Sequence, residues 1–176
     1  LLTTNKTHFF REIKHFHFLK TVLLPEMMSS DANEFLVWSA ATSRGQEAYS
    51  LLMTVQDFLD QNNFDLNYRV LGTDIDSDCL RVALSGIYRE DELKETLPSE
   101  TLGKYWDKGV GSNAGYVRFK DEYRTHLKFR RFNLSEKIWK LPVQFDLIFM
   151  RNVLYYLDSE LVDKILENTK KTIKPG

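Results

Sequence analysis

Residues 35–59 read FLVWSAATSRGQEAYSLLMTVQDFL, an apolar run, a turn of small residues and an amphipathic stretch in direct succession. The run Phe35, Leu36, Val37, Trp38 is too short for a globular helix and gives way to Ser39, Ala40, Ala41, Thr42 and Ser43, all small enough for close backbone approach. Gly45 opens the next element. From Ala48 onward the apolar positions Ala48, Leu51, Leu52, Val55, Phe58 and Leu59 recur at three-to-four spacing, which predicts a helix packed by one face on a sheet. After the polar segment 61–67, the stretch YRVLGTDID from Tyr68 to Asp76 predicts a second strand ending in acids. Strand, helix and parallel strand make a crossover unit. Such a unit places ligands at the carboxyl ends of its strands, where Gly45 and Asp74 both emerge.

An acid at the end of the second strand can accept hydrogen bonds from both hydroxyls of a ribose, so Asp74 points to an adenosine-containing cofactor. A pyrophosphate cofactor needs bare backbone at the helix start, and the turn has one glycine where the dinucleotide pattern has three. S-adenosylmethionine carries a ribose and an ammonium but no phosphate, and an acid in the first helical turn, Glu47, suits it. The plain alternatives are that Glu47 only complements the helix dipole and that Asp74 only caps the following helix.

The 176 residues are 43% hydrophobic and 28% charged, the composition of one globular domain with a sizeable core. A net charge of -1 gives no general field for nucleic acid, and no apolar run approaches the ~20 residues of a membrane span. The single cysteine, Cys79, allows neither an internal disulfide nor a cysteine-cluster metal site and fits a cytoplasmic setting. The absence of an initiator methionine and the ending at Gly176 suggest a piece of something longer.

Toward the amino terminus, Thr7 is placed to cap a short helix whose face carries Phe9, Phe10, Ile13 and Phe16, with Pro25 near the end of a second helix over 19–27. Three of the four histidines, His8, His15 and His17, crowd here without the further ligands a metal site needs. Residues 77–84 predict a helix ended by Gly86, and Pro98 and Ser99 start another. The alternation over 116–131 predicts an antiparallel hairpin standing off the main sheet. Its basic residues are those of any ribbon with one wet face, and a nucleic-acid partner is not expected. Phe145 to Met150 predicts a central strand, followed by Arg151 to Asp158 at the ligand edge and an amphipathic helix over 161–172 with Leu161, Ile165, Leu166 and Thr169 on one side. The expected sheet order puts the first strand between the second and the fourth, with the third, near Phe129, at an edge. The fourth is then left with one side open.

These blocks resemble the CheR family, methyltransferases that use S-adenosylmethionine to esterify glutamates of bacterial chemoreceptors. The resemblance rests on Thr3-Thr4-Asn5-Lys6-Thr7-His8-Phe9-Phe10-Arg11, Val37 to Ser50, Gly72 to Asp76, Ser85 to Tyr88, Phe132-Asn133-Leu134, and Phe145-Asp146 through Arg151-Asn152-Val153 to Tyr156. It implies an α/β, Rossmann-like class I methyltransferase: a mostly parallel sheet with an inserted antiparallel β-hairpin subdomain. The methyltransferase domain would span 1–176, with a helical lead-in over 1–34 and the insert over 109–132. An amino-terminal helical domain and the last strands of the sheet would lie outside the chain. It further implies that Asn5, Thr7 and Arg11 line the transfer site, that Glu47 meets the methionine end and that Asp74 holds the ribose. Asn133 and Leu134 would lie by the adenine, Arg151 and Asn152 would complete the pocket, and Tyr156 would face the acceptor. The partner would be the chemoreceptor cytoplasmic domain, with a receptor tail at the hairpin, no metal and no membrane insertion. The turn departs from the family pattern at Arg44, Gln46 and Ala48.

Methyl transfer from a sulfonium to an ionised carboxylate needs no general base, so positioning should supply most of the rate. Arg11 is suited to hold the acceptor carboxylate and Tyr156 to hydrogen-bond it, leaving S-adenosylhomocysteine as product. Two rivals stay open: a methyltransferase for another protein or for nucleic acid, and a cofactor-binding adaptor without catalysis. The first commonly shows Pro-Pro-aromatic after the fourth strand, where this chain reads Arg-Asn-Val-Leu-Tyr-Tyr.

Overall fold

The computed structural model describes residues 7–30, 32–141 and 143–175. Its centre is β1 (Glu34–Ala40), paired in parallel with β2 (Asn67–Asp74) on one side and β7 (Leu147–Phe149) on the other. With β6 (Leu127–Arg131) parallel to the outer side of β2, the sheet order is β6-β2-β1-β7. That is the order expected from sequence, although β7 forms only three residues of strand and lies at the sheet's end. Its flank is begun by a single parallel bridge from Phe145 to Ile173.

Strand alternation divides the core. Phe35 and Val37 join a cluster with Leu51, Leu52 and Val55 of α3 (Gln46–Asn62), while Leu36, Trp38 and Ala40 face Trp139, Phe145 and Ile165 on the other side. Trp38 is fully buried, and its indole N–H donates to Thr73 Oγ1 at 2.9 Å, so its polar atom is satisfied inside the core. The second layer is closed by α8 (Ser159–Thr172), started by Asp158, whose carboxylate accepts from Leu161 N. Its buried face runs Ile165, Asn168, Thr172, and Leu166, expected on that face, is exposed.

Two further readings need correction. Residues 116–131 are not a hairpin. β5 (Tyr116–Phe119) is the middle strand of a separate antiparallel sheet, between β3 (Ile87–Arg89) and β4 (Trp106–Lys108), whereas β6 belongs to the main sheet. A helical turn, α7 (Asp121–Arg124), separates them where a tight turn would have been needed to pair them. The inserted sheet is sewn to α3 by a buried aromatic cluster in which Tyr49 meets Phe119 at 4.6 Å and Phe9 meets Trp106 at 5.4 Å, centroid to centroid.

The amino-terminal helix also begins later than expected. Residues 9–13 form turns, and α1 (Lys14–Phe18) continues through a π-helical turn at Leu19–Leu23 into α2 (Leu24–Met28). Pro25 stands in the first turn of α2, directly after the π-helical segment and near the end of the helical run at Met28, as expected. Phe9 and Phe16 are core, but Ile13 is 62% exposed.

Candidate active site at the carboxyl ends of the central strands

The turn between β1 and α3 is built on Gly45, whose φ of 94° is left-handed, and a Cβ there would meet Ala83 Cβ at 2.8 Å. Ala83 lies in α4 (Ser77–Ser85), and Tyr88 clamps the same turn by donating its hydroxyl to Arg44 O at 2.5 Å. The Arg44 side chain is exposed, so this departure from the family pattern leaves the turn's interior unchanged. Thr42 Oγ1 and Gln46 Oε1 are buried beside Gly45 without a hydrogen-bond partner among the described residues. The turn thus holds polar capacity that the described residues leave unused.

Asp74 ends β2 facing this turn. One carboxylate oxygen accepts from Ser43 N at 2.7 Å and the other from Asp76 N at 2.9 Å. A carboxylate has about four lone-pair sites, so two remain for vicinal hydroxyls. Helix capping is done by Asp76, which accepts from Asp78 N and Cys79 N, so the reading of Asp74 as the cap of α4 is wrong.

Glu47 points away from its helix and into the protein, so the dipole explanation is insufficient. Its carboxylate accepts from Ser39 Oγ at 2.7 Å and from Arg151 Nε at 2.8 Å. Only 11% of the Glu47 side chain and 12% of the Arg151 side chain are exposed. Burial pushes the Glu47 carboxyl above its ordinary range, and Arg151 and the Ser39 hydroxyl offset part of that rise. The Arg151 guanidinium lies over the adjacent rings of Phe16 and Phe149, 5.4 and 5.3 Å from their centroids, which are themselves 5.6 Å apart, so the two rings support one side of it. Its Nη1 donates to Arg11 O at 2.8 Å and lies 2.8 Å from His15 Nδ1.

The structure therefore brings Arg11, Glu47, Arg151 and Asn152 together, with Asp74 across the Gly45 turn. Asn152 Nδ2 donates to Glu12 Oε1 at 3.2 Å. Phe10, whose N–H donates to Ser50 Oγ at 3.0 Å, fixes the Arg11 segment to α3. Thr7 is half-buried at the start of the same segment, and Asn5 lies outside the described residues. Tyr156 closes a 3-10 turn over Leu154–Tyr156 with 58% exposure, open enough to meet a macromolecule. Asn133 follows β6 and holds its own turn, its side-chain oxygen accepting from Ser135 N at 3.0 Å, while Leu134 packs on the Trp38 side of the sheet. Glu12, Ser39 and Ser43 join the site without having been anticipated. Ser39 had one available signal, its place on the Phe35–Val37 face of β1, which aims it at α3.

These features suit S-adenosylmethionine: an acid on either side of a turn with no phosphate-binding glycine run, and buried oxygens of Thr42 and Gln46 in that turn without a partner among the described residues. Among the described residues no cluster of His, Cys, Asp and Glu is arranged to hold a metal ion, and no helix is long and apolar enough to cross a membrane. A cleft of about 590 Å³ lies elsewhere, between Trp139 and α8, and none of the candidate residues lines it.

Residues 5–176 match the family described as CheR methyltransferase, SAM binding domain. The chemotaxis protein methyltransferase of Escherichia coli K12 is 40% identical over 174 residues, covering 99% of this chain and 58% of that protein. Chemotaxis protein methyltransferase 2 of Pseudomonas aeruginosa is 34% identical over 174 residues, covering 99% of this chain and 60% of that protein. The chain thus spans about three fifths of the length of these curated relatives. Among solved structures, YjhP from E. coli aligns over 98% of this chain and 49% of its own with a TM-score of 0.50 at 12% identity, a likeness of fold. With 172 of its 176 residues matched, the chain belongs to the CheR methyltransferase family, in its S-adenosylmethionine-binding domain.

Proposed function

We propose that the protein transfers a methyl group from S-adenosylmethionine to glutamate carboxylates on the cytoplasmic helices of chemoreceptors. The observation that carries this reading is the pairing of two acids around one turn: Asp74 with acceptor capacity to spare, and Glu47 buried against Arg151. Asp74 would take the ribose, Glu47 the amino group of the methionine end, and Asn133 and Leu134 the surroundings of the adenine. When bound, the cofactor supplies an electrophilic methyl on a sulfonium. Arg11, tied by its carbonyl to Arg151, would bind the incoming carboxylate, strip its water and aim one oxygen, while Tyr156 would donate to the other. The acceptor arrives ionised at neutral pH, so no side chain need remove a proton.

The similarity to chemotaxis protein methyltransferases supports a chemotaxis role, and a receptor glutamate is the substrate that role and this site together favour. We read 1–176 as one methyltransferase domain, with residues 10–15 of the amino-terminal segment lying against the Arg151–Asn152 turn. The inserted subdomain is redrawn from 109–132 to the β3-β5-β4 sheet. Each outer strand of that sheet pairs on one side only among the described residues, and a receptor tail could add there as a further strand.

The test is transfer of labelled methyl from S-adenosylmethionine to chemoreceptor signalling fragments by the intact protein. Base-labile label on glutamate is expected; base-stable label or none contradicts the reading. Arg11→Ala should lower the transfer rate far more than it weakens cofactor binding, whereas losses in equal proportion would make Arg11 a cofactor ligand.

Glu47 adds a pH signature. A group whose folded pKa is raised keeps its proton to higher pH, and an ammonium favours the ionised form, so affinity for S-adenosylhomocysteine should fall as pH falls through the Glu47 titration. Calorimetry over pH should show this slope in the wild type and a flatter one in Glu47→Gln.

A further inference from the structure

Two segments 140 residues apart meet at this site, and both hold backbone conformations that side chains disfavour. Phe10 and Glu12 have φ of 53° and 57°, and Asn152 has φ of 56°. Left-handed backbone at such residues persists only where surrounding contacts over-determine it. Beside the bond from Arg151 Nη1 to Arg11 O, the Glu12 carboxylate ties the first segment to both residues of the second, Arg151 and Asn152. Its Oε1 accepts from Asn152 Nδ2 at 3.2 Å, and its Oε2 lies 3.4 Å from Arg151 Nη1. The same Nη1 lies 2.8 Å from His15 Nδ1, which is itself 3.4 Å from Glu12 Oε2, so His15 and Glu12 share one guanidinium edge. The Asn152 amide holds the Glu12 carboxyl below its usual range, as expected of a carboxylate whose partner is built in.

We propose that Glu12 is a positioning residue that locks the Arg11 turn to the Arg151–Asn152 turn, so that the acceptor-binding guanidinium and the Glu47–Arg151 pair are presented in one fixed relation. This deepens the methyltransferase reading and rests on it for its catalytic consequence, but the lock itself is a property of the chain. Arg11 carries the chemistry with the acceptor, and Glu12 sets where Arg11 stands. Glutamine in place of Glu12 keeps an oxygen that can accept from Asn152, whereas alanine does not.

Amide hydrogen exchange and kinetics on the intact protein test it together. Glu12→Ala should speed exchange in both 8–15 and 151–157, although only the first segment contains the substitution. Because the contact is partly exposed, a roughly three- to tenfold fall in kcat is expected, with affinity for S-adenosylhomocysteine within about threefold of wild type. Glu12→Gln should recover most of the loss. Asn152→Gly tolerates the left-handed backbone while removing the donor, and it should reproduce the Glu12→Ala effects without adding to them in the double variant. Exchange changes confined to 8–15, additive effects, or glutamine behaving like alanine would each overturn the proposal. If the wild type binds no S-adenosylhomocysteine, the functional reading fails while the exchange result still decides the lock.

Discussion

Asp74→Ala should lower affinity for S-adenosylmethionine and S-adenosylhomocysteine by at least about a hundredfold. Two hydrogen bonds from ribose hydroxyls to a carboxylate are worth roughly 1.5–3 kcal/mol each, and each 1.4 kcal/mol is about a factor of ten. The substitution also frees Ser43 N and Asp76 N, so some loss of thermal stability should accompany it. Isothermal calorimetry separates the two effects: a variant that still melts cooperatively but releases no binding heat fits the assignment. Unchanged affinity would remove Asp74 from the site and with it the adenosine reading of the β2 terminus.

The largest expected effect on stability is at Arg151. Arg151→Leu keeps apolar contact with Phe16 and Phe149 but leaves the Glu47 carboxylate facing only Ser39. Breaking a buried ion pair by removing one partner costs roughly 3–5 kcal/mol, and the slight exposure of this one places it at the lower end. In a domain of this size about 3 kcal/mol corresponds to a fall in Tm of about 6–12 °C. The pH dependence follows from the sign of the shift. Glu47 already has a raised pKa in the folded state, and without Arg151 it rises further, so the stability deficit should be least at low pH, where the group is protonated in both states. It should grow as pH rises through the folded pKa. The double variant Glu47→Gln with Arg151→Leu should recover most of the loss. A single variant as stable as wild type, or a deficit independent of pH, would mean that the pair contributes little.

What the sequence disclosed follows from the range of the interactions involved. β1, the Gly45 turn, α3 and β2 are contiguous, and each carries a pattern of its own: an apolar run, small residues, a three-to-four repeat, an acid-terminated strand. Glu47 and Asp74 are therefore legible by position as candidates, and the family blocks add Arg151 and Tyr156 as further candidates. The 116–131 segment was misread because the alternation in Leu127–Arg131 serves equally well for a hairpin arm or for the parallel edge strand it is. Nothing local distinguishes the partners. The three-residue strands β3 and β4 are too short to show a period. Glu12 and His15 were unreadable as site residues for another reason: their partner is some 140 positions away, and left-handed φ at Glu12 leaves no mark in composition. The crowding of histidines near the amino terminus is resolved in part by His15 lying against the Arg151 guanidinium.

The central claim is that one adenosyl cofactor spans the Gly45 turn from Asp74 to Glu47. A crystal structure of the intact protein with S-adenosylhomocysteine measures it directly. The account predicts both ribose hydroxyls within ~3 Å of the Asp74 carboxylate and the amino group against Glu47, with Arg151 still over the rings of Phe16 and Phe149. A ligand bound in reverse, or seated anywhere that leaves Asp74 paired only with Ser43 and Asp76, would contradict it.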